Sequence, residues 1–180
     1  MTATPTHPTT GTDLVERARA AAAQVVDPEL PVLTLADLGV LRDVTIEDGP
    51  DGDLVVVTVT PTYSGCPAMA TMRDDLVHRL RTAGLPRVQV RLSLAPAWSS
   101  DWITPRGRAA LRKHGISPPG PVERRDGPVP LTLGPVRRAT QCPRCTSADV
   151  ELVSEFGPTA CTALYRCRAC LDPFEHVKEI

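Results

Sequence analysis

The 180-residue sequence has few aromatic residues and almost no excess charge of either sign. Phe, Trp and Tyr together make up 3% of the chain, so it has little material for the aromatic platforms on which single-stranded nucleic acids stack. The net charge of −1 gives no sign of a basic surface for nucleic acid or for an anionic membrane. No apolar run approaches the roughly 20 residues that cross a bilayer, and the N-terminus lacks a signal-peptide pattern. We therefore expect a cytoplasmic protein.

The rest of the composition is typical of a soluble globular protein, with 42% hydrophobic and 23% charged residues. A chain of this length holds one medium domain, or one small domain with an appendage. The hydrophobic patterns predict an α+β fold in which two layers of secondary structure enclose a core. The expected elements are helix, strand, strand, helix, strand and helix, at about residues 12–26, 40–47, 54–60, 67–83, 88–94 and 104–115.

Two of these strands have patterns that predict which side chains are buried. The second strand, LVVVTVT from Leu54 to Thr60, is so rich in valine that we expect both of its faces to be covered. In the third strand, VQVRLSL, apolar residues alternate with polar ones. This alternation predicts one buried face that carries Val88, Val90, Leu92 and Leu94.

Proline marks both ends of the predicted α+β domain. Residues 1–11 are rich in Thr and Pro and are interpreted as a flexible tail. Residues 117–139 are interpreted as an extended linker, because six of the 19 residues from 117 to 135 are proline. The expected segments are therefore 1–11, 12–116, 117–139 and a cysteine-rich tail at 140–180.

The cysteine-rich tail holds five of the six cysteines. CPRC, from Cys142 to Cys145, is separated by 21 residues from CRAC, from Cys167 to Cys170. A 41-residue segment is too small to be stable by burial alone, and two C-x-x-C turns supply four thiolates to one tetrahedral ion. We predict a small zinc-ribbon-like metal-binding domain with strands in VELVSEF, ALYRC and PFEHVK. Zinc is the default ion, iron or a cluster is also compatible with the ligands, and unligated thiols or a catalytic dithiol are weaker alternatives.

Two further residues of the tail need an interpretation. Cys161 exceeds the four ligands of a tetrahedral site. It is either a small buried side chain, which the general behaviour of free cysteine favours, or a transient ligand for iron or a cluster. His176 is another candidate ligand, but it lies in a strand-like stretch, and we predict a surface position for it.

The sixth cysteine, Cys66, stands alone in the turn between the valine-rich strand and the helix that follows. This position places its sulfur near the first free N–H groups of the helix, where the helix dipole favours the thiolate. Cys66 is therefore a candidate nucleophile or soft-metal ligand, although an isolated cysteine is more often a small hydrophobic residue. His78 is poorly placed to serve as its base. Asp27 and Glu29 can join Cys66 only if the fold brings them together.

These motifs in combination resemble a known family. DPELPVLTLADLGVLRDV and VTVTPTYSGCP resemble the iron–sulfur cluster assembly (FSCA, SufT-like) domain. WSSDWITPRGRAALRKHGISPP and the CPRC…SEFGPTAC…CRAC tail resemble the PaaD (PaaJ) family, accessory subunits of the phenylacetyl-CoA ring epoxidase system. The resemblance implies that Asp27, Glu29 and Cys66 handle iron or a cluster. It also implies a zinc-ribbon-like end held by four ligands, with Cys161 as an extra residue of unsettled role: Cys142, Cys145, Cys167 and Cys170.

The function that the resemblance implies is an accessory one, outside catalysis. The chain lacks the paired Glu-x-x-His units of a di-iron carboxylate bundle and the glycine fingerprint of a dinucleotide site. We expect it to assist the assembly of iron or iron–sulfur centres in the epoxidase or its reductase, during aerobic phenylacetate degradation. The epoxidase subunits and the reductase are the expected partners, and a homodimer would let two Cys66 residues share one cluster.

Three alternatives stay open at this point. The first is a stoichiometric structural subunit of the epoxidase that transfers no metal. The second is a thiol enzyme that uses Cys66. A nucleic-acid-binding ribbon is the third alternative. Charge counts against it, because residues 140–180 carry four Lys and Arg against six Asp and Glu.

Overall fold

The computed structural model describes residues 11–50, 52–63, 65–121 and 140–179. The predicted α+β fold is confirmed over these ranges, and a 3-10 turn precedes the last helix. Residues 1–10 of the predicted N-terminal tail at 1–11, and residues 122–139 of the predicted linker, lie outside the described residues, so those interpretations stay predictions. The elements are α1 (Gly11–Ala22), β1 (Leu41–Glu47), β2 (Leu54–Val59), α2 (Met69–Thr82), β3 (Val88–Leu92), α3 (Pro105–Lys113), β4 (Ile116–Ser117), β5 (Val150–Ser154), β6 (Thr162–Cys167) and β7 (Pro173–Val177).

The first unit comprises the elements from α1 to β4, and the tail begins at residue 140. In the first unit, two helices pack against a three-stranded sheet with the order β1-β2-β3. β1 and β2 are antiparallel, whereas β2 and β3 are parallel and are connected through α2. In the centre of the sheet, Val57 pairs with Val44 on one side and with Val90 on the other. The valines of β2 are at most 2% exposed, which confirms that both faces of this strand are covered.

The two later helices begin and end where the sequence predicts. α2 buries Met72, Leu76 and Leu80, which are four residues apart and therefore share one face. Gly84, with φ of +84°, allows the left-handed turn that follows this helix. α3 is capped by Thr104, whose hydroxyl oxygen accepts a hydrogen bond from the third residue of the helix.

Two local expectations are wrong. The first helix ends at Ala22 instead of continuing to Val26, because Val26 pairs with Thr34 in an isolated bridge that turns the chain back. Leu92 and Leu94 are each 56% exposed, although their alternation predicted burial. β3 is an edge strand of its sheet, and it ends at Leu92, so Leu94 lies beyond it.

The tail forms a second sheet with the strand order β4-β7-β6-β5. The three strands predicted in the tail are confirmed and make an antiparallel meander. The fourth strand comes from the first unit. β4 directly follows α3 and pairs in parallel with β7, so Ile116 lies beside Glu175 and Ser117 beside His176. Ser117, the first residue of the predicted linker, is therefore part of a sheet.

His176 is fully buried, so its predicted surface position is wrong. Its Nδ1 lies 3.2 Å from Ser117 Oγ, and its Nε2 lies 3.5 Å from a carboxylate oxygen of Glu179. The ring also meets Tyr165 edge to face, with centroids 5.5 Å apart. The burial has a physical reason: the pairing of β4 with β7 places Ser117 directly beside His176 and supplies its ring with a polar partner.

The tail also packs against the main core of the first unit. Cys161 is 7% exposed and Val177 is 2% exposed, and both belong to the same hydrophobic cluster as the buried stripe of α2.

None of the described helices is long and apolar enough to span a bilayer.

Candidate functional site

The four cysteines of the two C-x-x-C turns converge on one point. Their sulfur atoms all lie within 4.8 Å of one another. Cys142 Sγ is 3.7 Å from Cys170 Sγ, and Cys145 Sγ is 3.5 Å from Cys167 Sγ. Zinc–sulfur bonds of about 2.3 Å in a tetrahedron place the sulfurs about 3.8 Å apart, so the donor set and spacing fit such an ion. Backbone N–H groups of Cys170 and Ala169 lower the pKa of the Cys167 thiol to about 7, which favours its thiolate. The Asp172 N–H lowers the pKa of Cys170, but burial and the neighbouring cysteines outweigh it and raise that pKa to about 12.

The two turns of this cluster have the same backbone design. The N–H groups of Cys142 and Cys167 each donate to the carbonyl five residues later, at 2.9 and 3.0 Å. The residue after the second cysteine of each turn is left-handed, with φ of 60° at Thr146 and 64° at Leu171. This repeated geometry turns both cysteine pairs toward a common centre.

A second group of chemically active side chains lines a small cavity between the first unit and the tail. Asp27 and Glu29 reach it from the loop after α1, Cys66 from the turn between β2 and α2, and Cys161 from the tail. The cavity volume is about 10 Å³, which is room for about one water-sized sphere. The fold thus brings together the four residues that the resemblance singles out beyond the tail cluster.

Asp27 is 4% exposed and is fixed by its own loop. Its Oδ1 accepts hydrogen bonds from the N–H groups of Glu29, at 2.8 Å, and Leu30, at 2.7 Å. Burial raises the pKa of Asp27, and these two hydrogen bonds offset only part of that rise. The other carboxylate oxygen, Oδ2, has no hydrogen-bond donor within the described part of the chain. A buried carboxylate with one uncommitted oxygen therefore lines the cavity.

Cys66 is half-buried just before α2. Burial raises the pKa of its thiol, the N–H groups of Ala68 and Met69 lower it, and the charges of Glu29 and Asp27 raise it further. The N–H groups at the start of α2 therefore lower the pKa of Cys66 as predicted, but burial and the two carboxylates raise it by more. Without a bound cation, Cys66 is a protonated thiol at neutral pH and a poor nucleophile.

Cys161 is held firmly at the opposite wall of the cavity. Its carbonyl accepts a hydrogen bond from Lys178 N–H at 3.0 Å, and its sulfur lies 3.1 Å from Thr159 Oγ1. Burial raises the pKa of this thiol, and the charges of Glu29 and Asp27 raise it as well. Cys161 is thus buried, as its favoured interpretation expects, and it also borders the cavity that Cys66 lines, so its role as a ligand stays a prediction.

The apolar part of the cavity wall was not predicted as part of a site. Trp98 is 4% exposed, and its indole N–H donates to the Leu38 carbonyl at 2.9 Å. Met72, on the buried face of α2, forms another part of the wall. The sequence signal available for Trp98 is its place in the PAWSSDW segment, where a tryptophan more often packs in a core than lines a site. His78 is exposed on α2 and does not line the cavity.

Comparisons with known proteins cover both units. Residues 15–92 match the family model described as "Iron-sulfur cluster assembly protein", and residues 126–178 match "PaaD zinc beta ribbon domain". A relative from Escherichia coli (strain K12), named as one subunit of a "Putative 1,2-phenylacetyl-CoA epoxidase", is 46% identical over 156 residues, covering 87% of each chain. The chain belongs to the PaaD family. All four cysteines of the metal-binding cluster lie inside the PaaD ribbon match.

Solved structures resemble the first unit of this PaaD-family chain. A domain of unknown function, DUF59, from Bacillus anthracis is 26% identical, with a TM-score of 0.51 over 57% of this chain and 94% of its own. A Mycobacterium tuberculosis protein, described as associated with Fe-S complex assembly and repair, is 31% identical over 56% and 84%, with a TM-score of 0.36. The first similarity supports the α+β fold of the first unit, and the second carries no structural argument.

Proposed function

We propose that this PaaD-family protein is an accessory factor that assists the assembly or repair of metal centres in a phenylacetyl-CoA epoxidase, and that it is not itself an enzyme. Its Escherichia coli relative is named as a subunit of that enzyme, and its first unit matches an iron–sulfur cluster assembly family. The observation that carries the proposal is one cavity in which Asp27 and Glu29 meet Cys66, which lies far from them in the sequence. The partners are the epoxidase subunits and their reductase, in the cytoplasm.

The proposed chemistry is ligand exchange with iron, or an iron–sulfur cluster, as the cargo. The Cys66 thiol releases its proton when it binds iron, and the thiolate takes up a proton when a client ligand displaces it. The carboxylates of Asp27 and Glu29 supply oxygen ligands close to that sulfur. A site with so few sulfurs holds its cargo less firmly than a complete tetrathiolate, which is what a donor of metal requires.

We propose zinc as the resident ion of the tail cluster, because four thiolates at this spacing form a closed structural site. Cys142, Cys145, Cys167 and Cys170 would hold it. Zinc supplies no redox chemistry there; it would connect the two turns and stabilise the small sheet, by an amount on the order of 10–16 kcal/mol in comparable peptides. Metal analysis of the purified chain should find one zinc per molecule, and its absence would contradict this assignment.

The test of the cargo site is anaerobic loading with ferrous iron and sulfide, followed by desalting and metal analysis. Wild type should retain labile iron, and Cys66→Ser and Asp27→Asn should lose it while the tail zinc stays. Asp74→Asn is the matched control, because Asp74 is an exposed carboxylate on α2 that does not line the cavity. A wild-type chain that retains no labile iron, or a Cys66→Ser chain that retains the wild-type amount, would overturn the proposal.

A stoichiometric structural subunit is the second candidate, and one surface feature favours it. The tail exposes several large apolar side chains, in or just after the edge strand β5 and in the turn after β6, which a docked partner would cover. They are Leu152, Val153, Phe156 and Leu171, which are 43%, 56%, 71% and 61% exposed. Co-purification with the epoxidase at a fixed ratio, together with full epoxidase activity of Cys66→Ser, would favour this candidate over metal transfer.

A thiol enzyme is disfavoured by the environment of Cys66. Nucleophilic cysteines have a lowered pKa, whereas burial and two neighbouring carboxylates raise that of Cys66. His78, the closest histidine to Cys66 in the sequence, is exposed elsewhere on α2. Alkylation of native Cys66 at neutral pH should therefore be slower than that of free cysteine.

A further inference from the structure

Two cysteines from different parts of the chain border the same cavity. Cys66 enters it from the first unit, and Cys161 enters it from the tail, immediately before β6. Asp27 and Glu29 line the same cavity, so both thiols share it with the same pair of carboxylates. Chain segments almost a hundred residues apart thus contribute sulfur and oxygen ligands to one enclosed space.

The position of Cys161 depends on the way the tail docks. Its carbonyl is bonded to Lys178 N–H, and it packs in the main core together with Val177, which follows the buried His176. The pairing of β4 with β7 anchors this part of the tail to the end of α3. The sulfur is therefore fixed at the cavity wall by the fold and does not depend on a mobile side chain.

The size of the cavity restricts what it can hold. Its volume of about 10 Å³ admits about one water-sized sphere, which suits a single ion. An iron–sulfur cluster contains at least two irons and two sulfides and is held by four protein ligands, so it needs more space than this. Without rearrangement the cavity is thus matched to a metal ion, and a cluster as cargo would require the cavity to open.

We propose that Cys66 and Cys161 together bind one ferrous ion in this cavity, with Asp27 Oδ2 and Glu29 as the oxygen ligands. Two thiolates and carboxylate oxygens form a mixed set that suits a borderline divalent ion such as Fe²⁺. Each thiol releases one proton to solvent on binding, and the oxidation state of iron does not change. The role of this ion as cargo rests on the proposed function, whereas the two-sulfur site does not.

The cavity site is looser than the tail cluster. Within the described residues, only the four tail cysteines have ligand atoms that all lie within 4.8 Å of one another. Side chains of the cavity must therefore close around an ion, and Cys66 and Glu29 are exposed enough to rotate toward it. This rearrangement costs binding free energy. We expect the tail to retain its metal under conditions in which the cavity releases iron.

The experiment uses the zinc-loaded full chain under anaerobic conditions, titrated with Co²⁺ as a spectroscopic substitute and with ferrous iron alone. The intensity of the sulfur-to-cobalt charge-transfer band reports how many thiolates bind. Wild type should bind one equivalent with a two-thiolate band. Cys66→Ala and Cys161→Ala should each halve the band and weaken Fe²⁺ binding by at least about tenfold. Asp74→Asn, which removes an exposed carboxylate on α2 outside the cavity and no thiol, should behave like wild type.

The outcomes separate this proposal from the cargo function. If Cys161→Ala leaves the band and the affinity unchanged while Cys66→Ala abolishes both, the two-sulfur site is wrong and the cargo function survives. If neither substitution matters, both proposals fail. Because Cys161 is buried and its replacement can disturb the fold, the wild-type chain provides a second test. Iron X-ray absorption of the zinc-loaded wild type after addition of one equivalent of Fe²⁺ counts the sulfur neighbours of the iron directly and should find two. A bound ferrous ion with no more than one sulfur neighbour would also overturn the proposal.

Discussion

Loss of the tail metal should open the cavity in the first unit. The perturbation is Cys145→Ser, which removes an exposed ligand and so disturbs packing little by itself. The tail's own hydrophobic cluster contains only two large side chains, Tyr165 and Phe174, with ring centroids 5.9 Å apart. Burial of each contributes about 1.5–3 kcal/mol. A structural zinc ion contributes on the order of 10–16 kcal/mol, so we expect the tail sheet to unfold without it.

The consequence reaches Cys66 because Cys161, Val177 and Lys178 of the tail form one wall of the cavity. When the tail unfolds and these residues move away, water reaches the Cys66 sulfur, and the contribution of burial to its raised pKa is lost. Each unit by which the pKa falls toward its ordinary value increases the thiolate fraction at neutral pH about tenfold. Trp98, buried at the same cavity, should become exposed to solvent.

The assay is the rate of Cys66 alkylation, followed by peptide mass spectrometry, together with tryptophan fluorescence in a Trp102→Phe background that isolates Trp98. Cys145→Ser and chelator-treated wild type should alkylate Cys66 faster, with a red-shifted emission. Ala148→Ser, at an exposed position in the same segment, is the matched control. The reasoning is refuted if zinc is lost while the alkylation rate and the emission stay at their wild-type values.

Three further predictions concern stability. Leu76→Ala should lower the free energy of unfolding by about 2–5 kcal/mol in urea titrations, because Leu76 is fully buried, whereas Asp75→Ala on the exposed face should change little. Burial raises the pKa of Asp37, but hydrogen bonds from two threonines and the charge of an arginine more than offset this and lower it overall. The stabilisation by ionised Asp37 is therefore present above the ordinary Asp pKa of about 3.9 and is lost as the pH falls through the folded value. The melting temperature of Asp37→Asn should accordingly fall less than that of wild type as the solution is acidified. Leu171→Gly should raise the melting temperature of the tail, since glycine relieves about 1 kcal/mol of left-handed strain at φ of 64°; Leu152→Gly in an extended strand should lower it.

The sequence predicts the elements of this fold better than it predicts what covers them. The apolar stripe on α2 and the valines of β2 predict burial correctly, because each pattern follows the periodicity of the helix or strand on which it lies. Leu92 shows the limit of this reasoning. Alternation identifies one face of β3, but it cannot tell whether another element covers the end of an edge strand.

Long-range pairing explains why the site was only partly foreseen. The spacing of the four tail cysteines is local information, and it predicts their convergence. The position of His176 and of Cys161 depends on the pairing of Ile116 with Glu175, across almost 60 residues of sequence. No local pattern encodes that pairing, and so neither the buried histidine nor the meeting of Cys161 with Cys66 was predicted.

The shared sheet has a practical consequence for dividing this chain. A fragment that began where the ribbon match begins, at residue 126, would lack β4 and leave the backbone groups of β7 without their parallel neighbour. His176 would also lose the Ser117 hydroxyl. We therefore expect the smallest self-sufficient piece that carries the cysteine cluster to reach back through Ile116 into α3. A chimaera in which only the C-terminal part is exchanged between relatives would combine β4 of one parent with β7 of the other in a single sheet.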